Sequence, residues 1–203
     1  MALAAAERSD LADLLDTLTE EQWASPSLCE GWSVRDVVAH LVSYEHLGWG
    51  GVLLRMARGG LRPGRANAIG LQEAADVSPA DLVRTLRDHL RPSGLTAGFG
   101  GRSGLADGVI HHQDIRRPLG VGRTVPADRL RVALAMALQA PTLPSRRKVS
   151  GLRLVATDLD WSHGDGPEVS GPAEALLMTI AGRGAALADL EGPGLARLGA
   201  ATT

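Results

Sequence analysis

Apolar residues recur at helical spacing through the first two thirds of the chain. Leu11, Leu14, Leu15 and Leu18 predict a helix over 7–21. A Pro-containing loop from Ala24 to Gly31 follows. Ser33-Val34-Arg35-Asp36 then has the form of a capping box, with the acid at the third helical position. Val37, Val38, Leu41, Val42 and Leu47 carry this second helix on toward Met56, and Arg58-Gly59-Gly60-Leu61-Arg62-Pro63-Gly64 is a breaker run. Ser78-Pro79-Ala80-Asp81 opens a third helix, with Pro at its first position and Leu82, Val83, Leu86 and Leu90 as its stripe. Residues 92–104 read as a Gly-rich loop. Leu105 to Ile115 predicts a fourth helix, stopped by Pro118-Leu119-Gly120, and Pro126-Ala127-Asp128 opens a fifth that runs to about Ala140.

The pattern changes near 141–151, where Pro141, Pro144, Arg146, Arg147 and Lys148 read as a linker. Leu152 to Thr157 alternates as a strand, with further short strands at Leu159–His163 and Pro167–Ser170. Gly171-Pro172-Ala173-Glu174 opens a last helix carrying Ala175, Leu176, Leu177 and Ile180. The predicted architecture is mainly α: a bundle over 1–140, a linker over 141–150 and a small α+β domain over 151–203.

Composition narrows the function classes. The chain has 203 residues and a net charge of −2, so it offers no basic surface for phosphate backbones or anionic lipid. One Phe, one Tyr and four Trp are too few for a base-stacking platform. Nucleic acid and membrane are therefore not expected partners. Cys29 alone can form neither an intramolecular disulfide nor a multi-thiolate zinc site. The start of the chain lacks a basic segment and no apolar stretch reaches the length of a span, so the expected compartment is the cytoplasm. A single Lys among many Arg, Ala, Gly and Leu points to a GC-rich genome.

Three histidines sit inside helices: His40 in the second, His111 and His112 in the fourth. Asp107 precedes His111 by four residues, which puts their side chains about 40° apart on one face. Such a pair can share one divalent ion, and His40 from a facing helix would complete a set of three. Two imidazoles and a carboxylate suit Zn, Ni or Fe and leave positions open for a further ligand. His112 is the alternative ligand, turned about 100° from His111. The plainer account is a surface ion pair at 107/111 and a hydrogen-bonded His40.

Other residues have two readings each. Arg116 and Arg117 either clamp a substrate carboxylate or complement the helix dipole, and Arg183 has the same choice. Asp36 either caps its helix or orients His40. Asp114, three residues after His111, either orients that histidine or, as the plainer reading, bonds loop amides, and Cys29 is either a thiolate favoured ahead of a helix N-terminus or, as the plainer reading, a small buried hydrophobe. Trp23, Trp32 and Trp49 read as core or loop anchors, His46 and His89 as surface or packing residues, and His163 as part of a turn. The loop Gly98-Phe99-Gly100-Gly101-Arg102-Ser103-Gly104 lacks the ending of a P-loop and reads as a flexible segment, a candidate lid.

The stretch from Trp23 through Cys29-Glu30-Gly31-Trp32-Ser33-Val34-Arg35-Asp36 to His40-Leu41 resembles the N-terminal signature of the mycothiol-dependent maleylpyruvate isomerase family, within the broader DinB-like metal-binding bundles. Ile110-His111-His112-Gln113-Asp114-Ile115-Arg116-Arg117-Pro118-Leu119-Gly120 resembles its second signature. Leu154–Asp158 and Gly171–Leu177 resemble its small C-terminal domain, similar to sterol-carrier-protein folds. The resemblance implies a DinB-like four-helix bundle followed by that domain. It implies metal ligands at His40, Asp107 and His111, where the family's Glu is Asp107 here, one methylene shorter. It also implies a small-molecule substrate, mycothiol or another low-molecular-weight thiol as cofactor, and self-association as a homodimer. The expected function is metal-dependent, thiol-assisted isomerisation or S-transfer on a small electrophilic or carboxylated substrate. The rivals are a non-catalytic small-molecule-binding protein on the same fold and a specialised-metabolism enzyme of different chemistry.

Overall fold

The computed structural model describes residues 1–140 and 148–200. Residues 141–147 of the expected linker lie outside the described residues. The chain divides into two compact units, Met1–Gly122 and Arg123–Thr203.

In the first unit the elements are α1 (Ala2–Leu15), α2 (Glu20–Ala24), α3 (Val34–Val42), α4 (Trp49–Arg58), α5 (Pro63–Glu73), α6 (Pro79–Asp88) and α7 (Gly98–Arg116). Helix α1 packs on α6 and α7, and α3 packs on the same two, which closes a four-helix bundle. Its core comes from the stripes read in the sequence: Leu11, Leu14 and Leu15 of α1, Val34, Val37, Val38 and Leu41 of α3, and Leu82, Val83 and Leu86 of α6, joined by Ile115 of α7. Burial of these large apolar side chains supplies the main driving force for this unit.

Local chemistry sets the helix ends. The Ser33 hydroxyl accepts from the Asp36 backbone N–H, while the Asp36 carboxylate accepts from the Ser33 N–H at 3.0 Å. Asp36 is thus spent on the capping box rather than on His40. A second capping box, Thr19 with Gln22, starts α2 and divides the helix expected over 7–21. The helix expected to run from Ser33 to Met56 is likewise two, α3 and α4. The chain leaves the helix after Val42 and buries Glu45, whose Oε1 accepts from Arg8 of α1 at 2.6 Å. Ser93 and Thr96 donate to the same carboxylate. Helix α5 falls where the sequence offered only a breaker run. Its buried positions are the small residues Ala66 and Gly70, which leave no apolar stripe to read.

Helix α7 opens irregularly. Phe99, Gly100 and Gly101 have φ of 53°, 71° and 86°, left-handed values, and regular helix follows them. Two of the three are glycine, which adopts this conformation without a Cβ penalty. The amino group of Met1 donates to the Gly100 carbonyl at 2.7 Å, and Phe99 is 79% exposed. Trp49, read as a core or anchoring residue, is instead 67% exposed on α4 beside Leu53 and Leu54. Trp23 is buried as expected.

The second unit contains α8 (Ala127–Gln139), β1 (Arg153–Ala156), β2 (Ser162–His163), β3 (Glu168–Gly171), α9 (Ala173–Ile180) and α10 (Leu195–Ala200). Strand order is β2-β1-β3, with β2 antiparallel to β1 and β3 parallel to it, in the register Leu154↔His163 and Leu154↔Val169. Helix α9 covers the sheet, and its first N–H (Ala173) donates to Asp158 Oδ1 at 2.7 Å. Helix α8 packs on α9 through Leu130, Ala133, Leu134 and Ala137, so it belongs here rather than to a bundle ending at 140. His163 lies in strand β2, not in a turn, and its ring stacks on Trp161 at 6.3 Å. The architecture is a helical bundle with a small α+β unit, as the chain's pattern predicts. Among the described residues no helix is long and apolar enough to cross a membrane.

Candidate metal centre

The bundle brings α3 and α7 side by side, and with them His40, Asp107 and His111. One potential ligand atom from each lies within 4.8 Å of the others. His111 Nε2 is 3.5 Å from Asp107 Oδ1, and the His40 and His111 rings meet edge to face with centroids 5.0 Å apart. A tetrahedral ion with bonds of ~2.1 Å separates neighbouring donors by about 3.4 Å. The His111–Asp107 spacing matches that edge. The shorter Asp side chain therefore reaches the imidazole from its place one helical turn earlier.

Burial is uneven across the three. His111 is 8% exposed, whereas the Asp107 side chain is 41% exposed, so one side of the set opens to solvent. Desolvation works against the charged form of each. For Asp107, the charge and hydrogen bond of His111, then His40 and Arg8, outweigh it and hold the carboxyl well below its usual range. For His111, Asp107 and then the hydrogen bonds of Asp114 and Cys29 outweigh it and push the imidazole well above 6.5.

Around His40 two aromatic rings form walls. The Trp32 and His40 centroids are 5.2 Å apart, and Tyr44 meets His40 edge to face at 6.1 Å. The Tyr44 hydroxyl donates to Asn67 Oδ1 at 2.8 Å. Burial pushes that phenol's pKa up against the opposing pull of Arg55, with Asp107 adding to the rise. Trp32 gave no sequence signal beyond anchoring, and Tyr44 gave none at all, because its approach to the site depends on the chain leaving helix α3 just before it.

On the far side of His111, Asp114 is fully buried, and its Oδ2 lies 2.9 Å from His111 Nδ1. The Cys29 thiol donates to the same oxygen at 3.1 Å and lies 3.7 Å from His111 Nδ1. Of the two sequence readings of Asp114, the contact with His111 is present, and Cys29 packs against the apolar core as read while also hydrogen-bonding. The Asp114 side chain meets both His111 and Cys29, and Cys29 is a half-buried hydrogen-bonding thiol. Cys29, His111 and Asp114 form a second set of possible ligand atoms that shares His111.

His112 turns to the other side of α7, as its offset requires. Its Nδ1 meets Glu7 Oε1 at 2.8 Å, and Arg116 Nε donates to its Nε2 at 2.8 Å. That donation fixes the Nε2 lone pair as an acceptor and the proton on Nδ1. Arg116 therefore closes a Glu7–His112–Arg116 chain whose first two members are buried, and it also donates to the Gly122 carbonyl at 3.2 Å. Arg117 is the residue that closes α7. Arg183 belongs to the second unit and donates to the Ala181 carbonyl at 2.8 Å. His46 and His89 pack edge to face at 4.7 Å, away from the three-residue set.

Residues 4–93 match the family model of the mycothiol maleylpyruvate isomerase N-terminal domain. Two solved structures share the fold across both units. One is the crystal structure of a histidine-to-alanine mutant of the mycothiol-dependent maleylpyruvate isomerase. It is 18% identical, with a TM-score of 0.57 over 95% of this chain and 90% of that one. The other is a crystal structure of the mycothiol-dependent maleylpyruvate isomerase, 16% identical, with a TM-score of 0.54 over the same shares. No curated protein sequence matches the chain.

Proposed function

From a chain whose residues 4–93 carry the mycothiol maleylpyruvate isomerase N-terminal domain, we propose a metal-dependent, thiol-assisted isomerase or S-transferase acting on a small electrophilic or carboxylated substrate. The observation that carries this reading is the convergence of His40, Asp107 and His111 from two helices within 4.8 Å. Their chemistry, two imidazoles and a carboxylate, fits Zn, with Ni or Fe as alternatives. When bound, such an ion supplies Lewis acidity and lowers the pKa of a coordinated thiol. The thiol is mycothiol or another low-molecular-weight thiol.

The residues of this chain then have defined tasks. His40 and His111 present nitrogens, and Asp107 presents an oxygen from the solvent-facing side, where thiol and substrate enter. Trp32 and Tyr44 exclude water beside His40 and so strengthen the local electrostatics. Addition of the thiol sulfur to an activated double bond gives a single bond that can rotate, and elimination of the same thiol completes an isomerisation. Displacement of a leaving group by the thiol gives S-transfer. Arg116 and Arg117 at the end of α7 are the candidates for a substrate carboxylate, Arg116 while its Nε donates to His112.

A second reading, a small-molecule binder without metal, rests on one observation: Asp107 Oδ1 and His111 Nε2 lie 3.5 Å apart, close enough to serve one another as partners. The test is elemental mass spectrometry on the purified protein beside His111→Ala and His40→Ala, with turnover measured with and without thiol. Stoichiometric Zn, Ni or Fe that disappears in both variants, with thiol-dependent turnover, supports the enzyme. No metal after reconstitution supports the binder.

A further inference from the structure

We propose that Asp114 is the positioning residue of this centre: it holds the proton of His111 on Nδ1 and so aims the Nε2 lone pair at the space shared with Asp107 and His40. The inference rests on the metal reading above. A neutral imidazole has one N–H, and the better acceptor decides which nitrogen carries it. Asp114 Oδ2 lies 2.9 Å from Nδ1 and is fully buried, whereas Asp107 Oδ1 is 3.5 Å from Nε2 on a side chain 41% exposed. The buried, shorter contact is the stronger one, because water does not compete for it. Asp107, His111 and Asp114 stand at i, i+4 and i+7 on α7, so one helix face carries ligand, ligand and orienting carboxylate in line.

The Cys29 thiol is the second donor to this carboxylate, and the backbone puts it there. Leu28 N–H donates to the Asp114 carbonyl at 3.0 Å, and Cys29 N–H donates to Ser27 Oγ at 3.1 Å. The loop before α3 is thereby fastened to α7 at this residue. With both donors on Oδ2, the carboxylate cannot turn away from His111 without losing two hydrogen bonds in a buried place. Carboxylates that orient a metal-bound histidine in this way change metal affinity by about 10- to 100-fold when removed.

The test uses cobalt(II) alone as probe, on the full chain, with wild type, Asp114→Asn, Cys29→Ser and His111→Ala. Affinity is read by titration, the sulfur contribution from the charge-transfer region of the spectrum, and the protonated His111 nitrogen from long-range nitrogen–proton NMR of the zinc-loaded wild type. We expect Nδ1–H in wild type. Asp114→Asn should bind cobalt about 10- to 100-fold more weakly. Cys29→Ser, whose hydroxyl still donates, should stay within about threefold, and no thiolate-to-cobalt band should appear. Wild-type affinity in Asp114→Asn overturns the proposal, and so does an Nε2–H tautomer in wild type, which needs no variant to fold. A thiolate band lost in Cys29→Ser also overturns it, by placing the ion among Cys29, His111 and Asp114. Cobalt retained by His111→Ala instead overturns the metal reading itself. The two failures are thus distinct.

Discussion

Replacing Glu45 by Ala tests whether the first unit depends on its buried charge. The Glu45 side chain is fully buried, and the Arg8 side chain is 4% exposed. The carboxylate accepts from Arg8, from the Ser93 N–H and hydroxyl, and from the Thr96 hydroxyl. Truncation leaves a buried guanidinium with the His89 carbonyl as its remaining acceptor in this cluster. Breaking a buried ion pair by removing one partner costs about 3–5 kcal/mol. For a unit of this size that is a fall of roughly 10–20 °C in melting temperature. The double replacement Arg8→Met with Glu45→Leu removes the stranded charge. It should recover most of the loss and leave about 1–2 kcal/mol for the orphaned Ser93 and Thr96 donors. The assay is urea unfolding of wild type, Glu45→Ala, Arg8→Met, Glu45→Leu and the double variant at one pH, followed by tryptophan fluorescence. Trp23 and Trp32 report the first unit, and Trp161 the second. A single-variant loss under about 1 kcal/mol refutes the reasoning, as does a double variant whose loss equals the sum of the singles. The consequence reaches the candidate centre, because this cluster joins α1, the exit of α3 and the segment that leads into α7.

Three further outcomes are expected. In the metal-free protein the raised His111 value contributes stability that is full below its unfolded value of 6.5 and is lost as pH rises through the folded value. The depressed Asp107 value contributes stability present above 3.8 and lost as pH falls through its folded value. Melting scans from pH 5 to 9 should therefore show a decline above about 6.5 that saturating zinc removes and that His111→Gln lacks. Gly104→Ala should destabilise by about 1–3 kcal/mol despite the better helix propensity of Ala, because its Cβ would stand 2.7 Å from the Thr96 carbonyl and 3.1 Å from Pro92 Cγ. Chemical denaturation checks it, and a gain in stability would show that the approach of 92–96 to α7 is not tight. Ser33→Ala should cost about 0.5–2 kcal/mol by the same assay, through loss of the cap that starts α3.

Pattern and local chemistry carried much of the fold. The stripes of α1, α3, α6 and α8, the Ser33–Asp36 and Ser78 starts, the three short strands and the Pro172-preceded α9 all follow from spacing and capping, which act within a few residues. The failures share a cause. Helix α5 buries Ala66 and Gly70, so its packing rests on smallness rather than hydrophobicity. The division between α3 and α4 depends on Glu45 meeting Arg8 from a helix 37 positions earlier. The placement of α8 in the second unit depends on which apolar face it meets, and its stripe alone fits either.

The candidate centre divides along the same line. The Asp107–His111 spacing is a property of one helix, and His40 followed as a histidine inside another predicted helix, so the sequence pointed to three residues that the bundle brings within 4.8 Å. It left Asp114 between two roles, did not assign Cys29, Trp32 or Tyr44 to the centre, and did not show that Arg116 donates to His112. Those roles rest on directions across the bundle: which oxygen faces Nδ1, which ring lies against His40, and which imidazole Arg116 reaches. A 3.6-residue period fixes the face of a helix from its own sequence, but what stands opposite that face is set by packing among residues distant in the chain.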